Sequence, residues 1–511
     1  MTGRKVAAMG AALLTGCAVG PDYHGPPAAE KAAPAKFKNA STDGRWKVAE
    51  PIDDKAGGEW WSVFHDGTLD GLIQQGLAKN QDLRVAAARI AESRSMARVA
   101  AADFYPQVTL NPSAVRQRTS NTDPIQRAAL VGPSPFGGAA SSGASAGAAS
   151  PAKSASSSSS MALAEQPLSS TFNLFRAPIM ASWELDLFGR VRRSYEAARA
   201  TAQAAQADYR NMALSVSANV AVSYFALRSL DAEEAVLERT IGTRREALHL
   251  AEEKLQAGLI NELDVVRARA DVATDESSLY GLRQTRGQME NALATLLGEP
   301  ASDLKVGAHP LKVGDSPPRI PAGLPSDLLE RRPDVASAER QLAAANANIG
   351  VAKAAFFPRI SLSGAAGFES ADIGELLHWE SRIWQIGADA VQPLFEGGRN
   401  VANLGAARAR YEEAVGTYRG RVLTAFQEVE NGLNDLRMLA NQAEAQERAV
   451  AAARRALELS QQQYAHGSIA FLDVLDAERT LLANERDSTQ LLGQRMQATV
   501  QLIKALGGAW R

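Results

Sequence analysis

The stretch Gln463-Tyr464-Ala465-His466-Gly467-Ser468-Ile469-Ala470-Phe471-Leu472-Asp473-Val474-Leu475-Asp476 separates two long helical patterns. Gly467 is the natural break, because glycine adopts φ > 0 without steric cost and so ends helices. Asp473 and Asp476 stand at i and i+3, on one face of the first two turns of the following helix. A related stretch lies upstream, Leu255-Gln256-Ala257-Gly258 and then Leu263-Asp264-Val265-Val266. The two turn glycines, Gly258 and Gly467, are 209 positions apart.

The helical patterns run far in both directions. Val415, Val422, Val429, Leu436, Ala443, Val450, Leu457 and Tyr464 recur every seven residues up to the second break. Val220, Leu227, Ile241, Leu248 and Leu255 fall at multiples of seven before the first. Val191 to Ala257 contains no proline, and about 67 residues of helix at 1.5 Å each span about 100 Å. Glu262 to Leu297 then reads as a returning helix closed by Gly298-Glu299-Pro300, and Leu506-Gly507 repeats Leu297-Gly298. A strict seven-residue repeat imposes left-handed supercoiling, so these helices must pack as coiled coils.

Ahead of each helical pair the period changes to two. Thr68 to Asp103 reads as one helix, ended by Phe104-Tyr105-Pro106, because proline biases the residue before it away from the helical region. Val108, Leu110, Pro112 and Ala114 then alternate with Gln107, Thr109, Asn111 and Ser113. Ala181, Trp183, Leu185 and Leu187 alternate with Ser182, Glu184 and Asp186, and Phe188-Gly189-Arg190 closes the run. Between the two runs, residues 117 to about 170 are rich in Ser, Ala, Gly and Pro and read as a long loop that buries no core. In the second copy Asp327 to Phe356 reads as helix, interrupted by Pro333, and Phe356-Phe357-Pro358 matches the first Pro-ended helix. Ile360, Leu362, Gly364, Ala366 and Phe368 alternate with polar or small residues, as do Trp384, Ile386, Ala388 and Ala390. Gly398-Arg399 matches Gly189-Arg190 at the same 209-residue offset.

Four alternating strands with aromatic ends (Tyr105, Trp183, Phe188, Phe356, Trp384, Phe395) have the pattern of a membrane β-barrel wall. About eight strands are the practical minimum for closure, and lipid does not tolerate open edges. Strands placed in a membrane therefore require several subunits; two would supply eight and three twelve. A small soluble sheet and a pore-less periplasmic coiled-coil scaffold are the alternatives. A plain coiled coil explains the heptads but not the strands between them.

The 511 residues carry 55 basic and 57 acidic side chains, a balance that does not suggest a nucleic-acid partner. No run is long and apolar enough for a transmembrane helix. Arg4 and Lys5 precede an apolar Val6 to Leu14, and Leu14-Thr15-Gly16-Cys17 resembles a bacterial lipobox. Cleavage there leaves Cys17, the only cysteine, as the lipidated N-terminus, and Ala18 in place of an aspartate implies outer-membrane sorting. The chain then divides into a signal peptide (1–16), a lipidated tether (17–65), a first structural repeat (66–300), a linker (301–325) and a second repeat (326–511).

These features together resemble the TolC/OprM-type outer-membrane factors, the exit ducts of tripartite efflux systems. The resemblance rests on Cys17-Ala18-Val19-Gly20-Pro21-Asp22-Tyr23, on Trp183 through Arg190, on Glu330-Arg331-Arg332-Pro333-Asp334-Val335, on Gln392 through Arg399, and on the opening stretch. It implies a mainly α fold with an outer-membrane β-barrel, four strands per chain and twelve per homotrimer, continued by a periplasmic coiled-coil barrel. It implies a passive channel fed by an inner-membrane RND-type transporter and a periplasmic membrane-fusion adaptor docking near Gly258 and Gly467. Type I protein secretion is the alternative service for the same channel.

By the same resemblance, Asp473 and Asp476 form acidic rings around the pore, where three copies of each raise one another's pKa and attract cations. Asp473 also suits a helix cap, since acids favour N-terminal turns. Tyr464 and Asp264 match residues that hold the turns closed. Where the family has a gating arginine this chain has Ile469, so Ile469 or Leu472 is a candidate apolar constriction. Arg267, one turn after Asp264, is either a substitute cation or a solvated helix residue. No residue set suggests catalysis, a metal or a cofactor: the six histidines are scattered and the acidic pairs lack a base with an orienting partner.

Overall fold

The computed structural model describes residues 19–26, 58–118, 171–311, 317–318 and 331–508. The signal peptide, Cys17, residues 27–57 of the tether, residues 119–170 of the long loop and residues 312–316 and 319–330 lie outside them. The helices are α1 (Gly67–Lys79), α2 (Gln81–Ala102), α3 (Arg190–Gln256), α4 (Glu262–Leu297), α5 (Pro333–Ala354), α6 (Arg399–Ala465) and α7 (Phe471–Ala505). The strands are β1 (Gln107–Leu110), β2 (Ser113–Arg118), β3 (Thr171–Leu185), β4 (Arg359–Ser370) and β5 (Arg382–Val391). One compact unit holds the helices and a second holds the strands, so each unit draws on both halves of the chain.

In the helical unit, α3 and α6 are each 67 residues long and begin at Arg190 and Arg399, 209 positions apart. Each turns back through a glycine with positive φ, Gly258 at 67° and Gly467 at 70°. At the first turn Gly258 N–H donates to Leu255 O and Leu259 N–H to Lys254 O, both 2.9 Å. At the second, Gly467 N–H donates to Tyr464 O and Ser468 N–H to Gln463 O, at 2.9 and 3.0 Å. This paired bonding satisfies helix-end carbonyls that would otherwise have no partner. Helix α3 packs on α2, α4, α5 and α7, while α6 packs on α5 and α7.

The heptads are buried where the core is thickest. Val220, Leu227, Leu293, Leu297, Val500 and Ile503 are fully buried with Leu69, Ile73 and Trp60. Val422 and Val429 join a second cluster with Val335, Phe426 and Leu502. Toward the turn, Ala443, Val450, Leu457 and Tyr464 are only partly covered in a single chain.

One helix differs from the sequence expectation. Thr68 to Asp103 is two helices broken at Asn80, which leaves helical geometry at ψ 133°. Its Oδ1 accepts from Asp82 N–H and Leu83 N–H at 2.9 and 3.2 Å, capping α2, and its Nδ2 donates to Leu296 O at 2.8 Å. The asparagine thus forgoes one helical turn for a cap and a tie to α4. The expected interruption at Pro333 falls at Arg332, which is non-helical, and α5 begins at Pro333, because a first-position proline sacrifices no helical hydrogen bond. Among the described residues no helix is long and apolar enough to cross a membrane.

In the second unit, β1 and β2 pair with β3 in one continuous antiparallel register, from Gln107 opposite Ser182 to Arg118 opposite Thr171. They form a single row interrupted at Asn111-Pro112, where proline has no N–H for the ladder. Four rows therefore stand in the order β1/β2, β3, β4, β5, all antiparallel. Strand β3 starts at Thr171, ten residues before the alternation at Ala181, since Arg176 and Pro178 break the period there. At Gly367 a Cβ would stand 2.3 Å from Ala177 O, so β3 and β4 approach too closely for any side chain.

Replacing Asn80 with alanine is expected to destabilise the protein by about 2 kcal/mol, from the lost cap and the unpaired Leu296 carbonyl. A lowered thermal midpoint of the detergent-solubilised protein would register it; an unchanged midpoint would remove the cap's role.

Candidate functional site

The site is built from the two helix turns and the helix segments that meet them, all within the helical unit. Gly258 and Gly467 have open space where a Cβ would stand, so it is conformation and not crowding that requires glycine. The returning helices start differently. Asn261 caps α4 by accepting from Leu263 N–H at 3.1 Å. Ala470 has no side chain to cap α7; instead Asp473 Oδ2 reaches back to accept from Ala470 N–H at 3.1 Å. Asp473 thus takes the capping contact that its place in the first turn allows.

Asp476 is bound within the chain as well. Arg479 Nη1 donates to Asp476 Oδ1 at 3.2 Å, and its Nη2 donates to Asp271 Oδ1 of α4 at 2.7 Å. Both Asp473 and Asp476 stay exposed in one chain despite these partners.

Tyr464 sits at the end of α6 against Phe471, with ring centroids 5.4 Å apart. Lys254, in the last turn of α3, places Nζ 5.2 Å from the Tyr464 ring centroid. Burial pushes the Tyr464 phenol above its usual value, and the Asp264 carboxylate adds to the shift. Tyr464, Asp264 and Lys254 therefore join α6, α4 and α3 in one place. Ile469 is half-buried, and Leu472 is exposed on the first turn of α7. Arg267 is half-buried on α4.

Two functional partners escape the sequence reading. Lys254 carries only the weak signal of a cation in a helix's last turn, and nothing in one dimension sets it against Tyr464. Arg479 is legible as Asp476's i+3 neighbour, but its second partner, Asp271, is 208 residues away.

A helical unit of paired 67-residue helices and a small open sheet define the fold class of outer-membrane channel proteins. Residues 72–299 and 324–508 match the family described as outer membrane efflux protein, and the chain belongs to that family. The cation efflux system protein CusC of Escherichia coli is 31% identical over 503 residues, 98% of this chain and 97% of CusC. The pyoverdine export outer membrane protein OpmQ of Pseudomonas aeruginosa is 32% identical over 89% of this chain and 88% of its own. The antibiotic efflux pump outer membrane protein ArpC of Pseudomonas putida is 33% identical over 98% and 95%. Among solved structures, the outer-membrane channel OprN superposes with a TM-score of 0.79 at 30% identity, covering 97% of this chain and 100% of that one. A crystal structure of CusC gives 0.78 at 29% identity over 96% and 100%.

Burial and the Asp264 charge both disfavour the phenolate, so Tyr464 is expected to titrate above the ordinary 10.0, and D264N to bring it partway back. Carbon-13 titration of labelled tyrosine reads this directly; a D264N protein with unshifted Tyr464 would separate the two residues.

Proposed function

We propose that the chain is the outer-membrane channel of a tripartite efflux pump, a passive homotrimeric duct gated at its helix turns. The observation that carries it is the four-row sheet, which has two unpaired edges, β1/β2 and β5, among the described residues. Its strands leave Val108, Leu110, Ile179, Trp183 and Ile386 exposed in a single chain. Three copies supply twelve strands, enough to close a barrel in the outer membrane. The helices of the same three copies form the periplasmic tunnel, and its turns at Gly258 and Gly467 receive the membrane-fusion adaptor. An RND-type inner-membrane transporter supplies the energy, so the duct is not an enzyme. Relatives named for cation, pyoverdine and antibiotic export match this chain almost equally, at 31 to 33% identity. That spread supports a duct whose substrate choice resides in the pump.

The N-terminal segment supports lipid anchoring. Val19 N–H donates to Phe188 O at 3.0 Å, three residues beyond the end of β3. Asn346 Nδ2 donates to Pro21 O at 3.0 Å, and Arg193 pairs with Asp22. Val19 is thereby tied to the strand-to-helix junction; Cys17, the expected lipidation site, precedes it by two positions in the sequence and lies outside the described residues. The organisation that follows is a signal peptide to residue 16, the anchored tether, and two repeats joined by the 301–325 linker. Palmitate is expected to label the wild-type protein and not C17S, while both stay in the outer membrane; label retained on C17S would place the lipid elsewhere.

At the turns, Asp473 and Asp476 form the acidic rings of the pore, and Tyr464, Asp264 and Leu472 hold the gate. The cap made by Asp473 uses one carboxylate oxygen, Oδ2, and its side chain stays exposed in one chain. In planar bilayers the D473N/D476N variant is expected to lose cation preference several-fold, because six carboxylates leave one axis. Unchanged selectivity would sink the ring.

A further inference from the structure

Two turns and more into α7, three helices of one protomer close on a buried charged cluster. Arg244 of α3 is 5% exposed. Its Nη1 donates to Asp275 Oδ2 of α4 at 2.8 Å, while its Nε stands 3.7 Å from Glu478 Oε2 of α7, beyond hydrogen-bond reach. Asp271, one turn before Asp275, takes Arg479 of α7. Four buried atoms there have no hydrogen-bond partner: Arg244 Nε and Nη2, Asp271 Oδ2 and Glu478 Oε2. Carboxylates outnumber cations, since Asp271, Asp275 and Glu478 face Arg244 and Arg479, and Arg479 also serves Asp476. The remaining charges nearby are engaged elsewhere. Arg486 of α7 is bound by Glu233 of α3, and Arg454, from α6 on the other side of α7, by Glu485.

We propose that this cluster is a proton-operated latch between the two helical hairpins, drawn tight when the Asp275–Glu478 pair holds one proton and loosened when that proton leaves. One proton balances three carboxylates against two guanidiniums. It also removes the cost of a buried, unpaired negative charge, which a low-dielectric site penalises heavily. A neutral Glu478 still offers its carbonyl oxygen to Arg244. The function of the latch rests on the channel reading, because parting the hairpins is what opens the turns.

The direction of the pH response follows from burial. Burial raises Asp275 and Glu478 above their ordinary 3.8 and 4.5, opposed at both by Arg244 and at Asp275 also by Arg486, and helped by Asp271. Parting the hairpins hydrates both groups and returns them to those values. The closed arrangement therefore binds more protons than the open one. Its advantage is complete below the ordinary values and is lost as pH rises through the raised ones.

The test uses the full-length trimer with spin labels at E262C and Q461C, exposed positions on α4 and α6, and reads their separation against pH. The open-to-closed ratio is expected to rise with pH by at most about tenfold per unit for one proton per protomer. E478Q, which carries no titratable proton, is expected to hold the closed separation at neutral pH and flatten the profile, with D275N as a second variant. R245M removes an exposed pair between α3 and α4, Arg245–Glu276, and is expected to follow the wild type. A separation that does not move with pH, or an E478Q profile with the wild-type slope, overturns the latch. Conductance plays no part in this readout, so a protein that passes no ions counts against the channel alone.

Discussion

Backbone N–H and C=O groups in hydrocarbon must find partners within the protein, because no water is there to serve them. Among the described residues, the sheet of one chain satisfies its interior rows and leaves β1/β2 and β5 unpaired on their outer sides. In the proposed trimer, neighbouring copies would pair those edges. The helical unit has the same character: Val401, Tyr280 and Leu423 stand exposed on helices otherwise built for coiled-coil packing. Both units thus carry apolar surface that the proposed trimer would cover, and burial of such surface is the main favourable term in assembly.

The helix ends divide the helical unit into a clamped end and a free end. All four hairpin helices finish on a glycine with positive φ, at Gly258, Gly298, Gly467 and Gly507. At Gly298 and Gly507 space is also short: a Cβ would stand 2.3 Å from Lys79 O and 2.9 Å from Arg331 O. Those two ends sit beside Leu293, Leu297 and Ile503 in the main core. At Gly258 and Gly467 nothing crowds the missing Cβ. Regions with few buried contacts open at low free-energy cost, which favours the turns over the opposite ends as the place for the proposed gate to move. This is the mechanical arrangement a gate needs.

Much of this is legible in the sequence, for reasons that can be named. Glycine breaks and seven-residue spacing are local signals, and they mark the first 67-residue helix to within one residue at each end. Asn80 was harder to read, because its cap competes with a good helical pattern and wins through a contact to Leu296 in a distant helix. Pro112 lies in the apolar alternation of its strand yet interrupts the ladder, since periodicity records which face a residue occupies and not whether it can donate. At the turns, glycines and acids are visible in one dimension. Lys254 over Tyr464 and Arg479 on Asp271 are not, because both depend on how the two hairpins meet.

What fixes that meeting is charge as much as burial. An alanine-rich helix about 100 Å long has neighbouring registers, one heptad apart, that bury similar surface. The seven-residue series of α3 skips position 234, where Glu234 pairs with Arg283 of α4. Arg286 joins Asp231, Arg244 joins Asp275, Arg245 joins Glu276 and Arg269 joins Glu252. These pairs follow one antiparallel register: as the α3 partner advances from Asp231 to Glu252, the α4 partner retreats from Arg286 to Arg269. The exposed pairs among them, such as Arg245–Glu276 and Arg269–Glu252, contribute little singly. A slip of one heptad would break all five together and part the buried Arg244 from Asp275, a penalty of several kcal/mol. Burial makes the hairpin associate, and the ion pairs choose which of its possible alignments is the native one.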